Sequence, residues 1–368
     1  MRKLVRNTTI ATTAVLVATL APAAAGGGHH HHHHQSRLST VVDGLDGPRG
    51  VDALGRGKTL VTETDGSFSL VVERRHRDPR VTELGSVPGG FPPAIAAGRR
   101  GRIYLLTGAS GEPGSPQAPG AATLYEWRHG YDAPKPVFDV AAYQVGDPDP
   151  DDLENLPADS NPFGLAALRD GSVLIADAAG NDLLRWWPDG TVKTVARLKP
   201  RVVDVPDGVP LPEEQVPSEG VATSVTVGPD GYWYVGELRG FPATPGTSQI
   251  WRIKPGSVDA VCDPEDPRHG RCTRYADGLT SIVDLGADHR SVYAVSLSKL
   301  SWLAVESEEP VPGAEIGALY RLIRGHHQVR VKELASDRLT LPAGVDVDRR
   351  GIYVTGPVFG PGALSKIR

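Results

Sequence analysis

Asn161-Pro-Phe-Gly-Leu-Ala-Ala-Leu168, the turn Arg169-Asp-Gly171, Ser172-Val-Leu-Ile-Ala-Asp177, the turn Ala178-Ala-Gly-Asn181, Asp182-Leu-Leu-Arg-Trp-Trp187, the turn Pro188-Asp-Gly190 and Thr191-Val-Lys-Thr-Val-Ala-Arg197 follow one another in mid-chain. Each apolar run is short, rich in branched or aromatic side chains and bounded by turn formers, which predicts four consecutive antiparallel strands. The second run recurs as Thr59-Leu-Val-Thr-Glu63, Ile103-Tyr-Leu-Leu-Thr107, Trp233-Tyr-Val-Gly-Glu237, Val292-Tyr-Ala-Val-Ser296 and Ile352-Tyr-Val-Thr-Gly356. With Val173-Leu-Ile-Ala-Asp177 that makes six copies, so the expected fold is an all-β, six-bladed β-propeller.

The last repeat runs out of chain after its third strand, residues 363–367. Residues 38–45, Leu-Ser-Thr-Val-Val-Asp-Gly-Leu, precede the first repeat and read as a fourth strand. Pairing the two removes an open edge, so the N-terminal strand is expected to complete the last blade.

Flanking segments set the context. Arg2, Lys3 and Arg6, an apolar stretch over residues 10–20 and Ala23-Ala-Ala25 read as a secretory signal peptide over residues 1–25. Residues 26–36 form a Gly/His linker whose six consecutive histidines, residues 29–34, read as a purification tag, and residues 37–368 form the propeller. The tail at residues 363–368 has no sorting signal, and no later stretch is apolar enough to span a bilayer. A secreted, extracellular or cell-envelope monomer is therefore expected. The only cysteines, Cys262 and Cys272, are expected to form a disulfide rather than half of a zinc site. A formal net charge of −5 gives no basic face for nucleic acid.

Loop lengths make the two ends unequal. Residues 108–121, 144–159, 199–218, 238–248 and 297–317 all fall at the end that carries the connections between strands two and three and between blades. The opposite end has short turns, except for the stapled residues 255–271. Long loops on a rigid scaffold are where binding groups sit, so the ligand or partner surface is expected at the loop-rich end.

Chemistry there rests on few residues. His76, His129, His269, His289, His326 and His327 all belong to the short-turn end, and no nucleophile elbow, phosphate loop or zinc-protease motif is present. Glu63, Asp177 and Glu237 occupy equivalent ends of second strands and are candidate ligands for an axial Ca²⁺ or Mg²⁺. Capping of turn N–H groups is the competing role for such carboxylates. Arg49, Asn161 and Glu219 stand at or before first strands, and Trp302 lies in a long loop; these are the candidate channel or ligand residues.

The run Val173 to Trp186 resembles the NHL-repeat signature. Together with Asn161-Pro-Phe-Gly-Leu165, Pro217-Ser-Glu-Gly-Val-Ala-Thr-Ser224, Gly236-Glu-Leu-Arg-Gly-Phe-Pro242 and Pro342-Ala-Gly-Val-Asp346, the chain resembles the ScyD/ScyE family of exported propellers. The resemblance implies the fold and export and carries no catalytic residues. With no catalytic histidine at the loop-rich end, the sequence favours a secreted binding or scaffold protein for a small molecule or an extracellular protein. Its alternative is a metal-dependent hydrolase resembling gluconolactonase-type or strictosidine-synthase-like propellers, with the axial cation polarising a carbonyl or activating water.

Overall fold

The computed structural model describes residues 37–325 and 328–368. The expected signal peptide, the histidine tract and the pair His326–His327 lie outside the described residues.

Six antiparallel sheets follow one another along the chain. Blade 1 is Val51–Gly55, Lys58–Thr62, Ser67–Arg74 and Arg77–Ser86; blade 2 is Ala94–Ala97, Arg102–Leu106, Thr123–Arg128 and Lys135–Asp139. Blade 3 is Pro162–Ala167, Val173–Asp177, Asp182–Trp186 and Val192–Leu198. Blade 4 is Ala222–Val227, Trp233–Glu237, Ser248–Ile253 and Cys272–Leu279, and blade 5 is Ile282–Ala287, Val292–Ser296, Ala318–Arg324 and Val329–Leu334. Blade 6 has Gly344–Asp348, Gly351–Gly356 and Pro361–Ile367, and its fourth strand is Leu38–Asp46 from the other end of the chain. Leu38 pairs with Ile367, Thr40 with Ser365 and Leu45 with Gly362, so the N-terminal strand closes the ring as expected.

The strand order explains the sequence pattern. Second strands are covered on both faces by neighbouring blades, and Val173–Asp177, Trp233–Glu237 and Val292–Ser296 are buried at every position. Outer strands such as Val329–Leu334 face water along one side and carry charge. Between blades 3 and 4 Leu174, Leu183, Trp233, Val235 and Trp251 form one core cluster, and Phe68 meets Trp127 edge-on at 5.6 Å between blades 1 and 2.

Besides a short helix in residues 297–317, three elements stand where the sequence reads as loop. Val140–Gly146 is a helix capped by Asp139, whose side chain accepts from the Ala142 N–H. Arg201–Asp204 and Gln215–Ser218 form a hairpin. Ala260–Cys262, inside the stapled stretch of blade 4, pairs in parallel with Ala196–Leu198 as a fifth strand on blade 3. The Cys262–Cys272 disulfide (Cα–Cα 5.0 Å) anchors that strap. Among the described residues no helix is long and apolar enough to cross a membrane.

Candidate active site at the loop-rich end

First strands surround the axis and leave a central cavity of about 220 Å³ lined by Arg49, Asp52, Ile95, Leu165, Asp284 and Asp346, among others. The inner edge of each blade offers N–H groups to this channel, and carboxylates from the preceding blade take three of them. Asp284 accepts from the Val345 N–H, Asp346 from Ala53 and Asp52 from Ala97, each at 2.7 Å. The three therefore stitch blade 5 to 6, 6 to 1 and 1 to 2. Burial pushes Asp284 up to about 7. Burial, then the neighbouring charge of Asp52, holds Asp346 well above the ordinary aspartate value.

Arg49 lies across the loop-rich mouth of this channel. Its Nη1 donates to the Pro92 carbonyl at 3.1 Å and its Nη2 to the Phe163 carbonyl, with the guanidinium 3.7 Å from the Phe163 ring centroid. Only 5% of the residue is exposed, and burial lowers its pKa to about 10 although Asp284 favours the cation. Arg49 thus ties blade 1 to blades 2 and 3.

Glu219 sits just before the inner strand of blade 4, half-buried beneath loops from other blades. One carboxylate oxygen accepts the Leu153 N–H at 2.8 Å, from the connection between blades 2 and 3. Its backbone carbonyl is held by the Gly240 N–H at 2.9 Å and by Arg239 Nη1 at 3.1 Å. Burial pushes Glu219 up to about 7, the Leu153 N–H opposes this, and the like charges of Glu154 and Asp149 reinforce it. Trp302 opens a short helix, Trp302–Val305, and donates its indole N–H to the Arg239 carbonyl at 2.8 Å. Glu219 and Trp302 accordingly flank one segment, Arg239–Gly240–Phe241. Phe91, Leu153, Phe241, Leu300 and Phe359, all on loops of this end, are exposed.

The other expected site residues are engaged within their own surroundings. Asn161 accepts the Ala109 N–H through Oδ1 at 3.0 Å and gives its own N–H to Asp177 at 2.7 Å. Glu63 accepts the Asp46 N–H at 2.7 Å. Asp177 is fully buried and also accepts from Ser160 Oγ at 2.6 Å. Glu237, fully buried, is held by Arg239, the Trp251 indole and the Gln249 N–H. Glu63, Asp177 and Glu237, expected as ligands of an axial Ca²⁺ or Mg²⁺, thus each meet separate donors: Asp46 from blade 6 for one Glu63 oxygen, Ser160 and Asn161 for Asp177, and Arg239, Trp251 and Gln249 for Glu237. No cluster of three or more His, Cys, Asp or Glu side chains suited to a metal is present among the described residues.

Sequence reasoning missed the channel carboxylates. The signal was legible, because Val51-Asp-Ala, Val283-Asp-Leu and Val345-Asp-Val each set an aspartate between apolar neighbours on an inner strand.

No family model matches the chain, and no curated protein does. Solved structures do. The PQQ-bound aldose sugar dehydrogenase of Streptomyces coelicolor is similar at TM-score 0.54 and 14% identity, covering 91% of this chain and 99% of that one. A glucose dehydrogenase matches at TM-score 0.55 and 16% identity over 90% of this chain and 98% of its own. A gluconolactonase from Xanthomonas campestris matches at TM-score 0.51 and 12% identity, covering 90% of each chain. The likeness is one of fold. It lends no support to the ScyD/ScyE assignment, and the expectation of a scaffold without catalysis is corrected by what these three neighbours are, two dehydrogenases and a lactonase.

Proposed function

We propose that the chain is an exported hydrolase that opens a small polar cyclic ester of the sugar-lactone class, with Glu219 as its proton-transfer group. One observation carries this reading: the Glu219 carboxyl lies half-buried at the loop-rich end under the connection between blades 2 and 3, held by the Leu153 N–H, and burial there pushes it up to about 7. A base or acid is most effective when its pKa lies near the working pH. The exposed Phe241, next in the chain to the Gly240 whose N–H holds the Glu219 carbonyl, supplies an apolar surface against which a sugar ring can lie. The gluconolactonase and the aldose sugar dehydrogenase that share the fold suggest the substrate class to try first.

In the proposed step, ionised Glu219 takes a proton from water as the water oxygen attacks the lactone carbonyl. The ring C–O bond breaks, and the proton passes to the departing alkoxide oxygen, leaving a hydroxy acid and a regenerated carboxylate. No step is routed through a cation, because Glu63, Asp177 and Glu237 do not fit a shared one. The test is hydrolysis of a panel of aldonolactones by the secreted protein and by Glu219→Gln. Removing a general base typically costs about 10²–10⁴-fold in rate. Equal turnover by the two proteins, or none above background by either, would refute the assignment.

A further inference from the structure

A buried polar seam that this chemistry does not use runs between the helix Val140–Gly146 and blade 3. Gln144 on the helix and Asp177 and Asp182 on neighbouring strands of the blade are all fully buried. Gln144 Nε2 donates to Asp177 Oδ2 and to Asp182 Oδ2, each at 3.2 Å. Asp177 also accepts from Ser160 Oγ, the Asn161 N–H and the Gly180 N–H, so its two oxygens are served by four donors, the environment of an ionised carboxylate.

Asp182 is different. Its Oδ1 has no hydrogen-bond partner, and neither has Gln144 Oε1, although both atoms are buried. Two lone acceptors on side chains already joined by one bond leave two polar groups unsatisfied at considerable cost. A single proton removes both deficits. We infer that Asp182 is a neutral carboxylic acid that donates its Oδ1–H to Gln144 Oε1 while Gln144 Nε2 donates back to Asp182 Oδ2, a two-bond acid–amide lock fastening the helix to blade 3.

The charges around the lock agree with it. Asp177 faces Asp182 from the adjacent strand, Asp147 from the end of the helix, Tyr143 from the helix itself and Arg197 from the fourth strand, with Arg197 Nη1 3.9 Å from Asp182 Oδ2. Burial first, then Asp177, holds Asp182 well above the ordinary aspartate range, against Gln144 and Arg197. Arg197 also serves Asp147, so one guanidinium faces more carboxylates than it can neutralise.

The lock has a consequence for the proposed site, and that consequence alone rests on the role given to Glu219. The helix leads directly into the segment whose Leu153 N–H holds Glu219, and whose Asp149 is tied to Asn181 Nδ2 at 2.9 Å. Gln144 and Asp182 are then positioning residues for the loop over the proton-transfer group.

Asp182→Asn tests the lock without any activity assay, because an amide can close the same ring with no titrating proton. The infrared difference between wild type and Asp182→Asn at pH 7 should show one protonated-carboxyl C=O band. The variant should melt about 5 °C higher than wild type at pH 8, with the gap closing toward pH 4. The sign follows from linkage: above the ordinary aspartate value the folded state keeps a proton that the unfolded chain has released, so wild type loses stability as pH rises. If that variant does not fold, Gln144→Glu serves, since two acids can close the ring at pH 4 but not at pH 8, and its melting temperature should fall with pH more steeply than that of wild type. No protonated-carboxyl band, with a variant less stable at both pH values, would assign an ionised Asp182 bridged to Arg197 by water and overturn the lock. A calcium-dependent rise in melting temperature that Asp182→Asn abolishes would overturn it in favour of a bound cation.

Discussion

At the scale of single residues, position and chemistry were legible to different degrees. Glu219 could be singled out because it precedes an inner strand, but its elevated pKa could not, since that comes from burial beneath another connection, with the like charges of Glu154 and Asp149 adding to it against the Leu153 N–H. Replacing Glu154 with Gln removes a like charge, so the pKa that governs activity should move down, as read from the pH dependence of kcat/KM. Glu237 was equally visible as a carboxylate at a strand end, yet Arg239, two residues on, decides its role. Both are almost wholly buried and ion-paired. Glu237→Gln leaves the guanidinium without its counter-charge, and a loss of about 3–5 kcal/mol of unfolding free energy is expected from denaturant titration. A variant as stable as wild type would mean that the pair is not formed.

Elements were legible where a repeat made them so. Second strands stood out because both faces are covered and nearly every side chain is apolar, and three of the six were bounded to the residue. The helix Val140–Gly146 leaves no sequence signal because it spans barely two turns and interrupts no repeat, and its Gln144 falls at the start of a stretch that reads as loop. The strap Ala260–Cys262 was invisible for a different reason: its partner, Ala196–Leu198, belongs to the preceding blade, and three residues carry no pattern. Cys262→Ser with Cys272→Ser should cost roughly 2–3 kcal/mol through the freed ten-residue separation, and should loosen the strap from blade 3, read as faster amide exchange over residues 260–262. Deleting residues 37–46 strips the edge of Pro361–Ile367 and should abolish the single cooperative melt.

Across the whole molecule the ring is closed twice, by the strand exchange in blade 6 and by carboxylates around the axis. Asp346 bonds the last blade to the first, Asp52 the first to the second and Asp284 the fifth to the sixth. Asp284 is raised to about 7, so between pH 4 and 7 the folded protein holds a proton that the unfolded chain gives up. Stability should therefore fall as pH rises through that window, by roughly 2–4 kcal/mol for this group, and Asp284→Asn should flatten the slope in pH-dependent melts. The same closure sorts the loops into two ends and collects Glu219, Phe241 and Trp302 at one of them. The most direct test of that arrangement as an active site is the pH dependence of kcat/KM for aldonolactone hydrolysis by the wild-type protein. The rate should climb as a single group ionises near pH 7, and the climb should disappear in Glu219→Gln. A profile with no inflection near 7, or one that survives unchanged in the variant, would contradict the assignment.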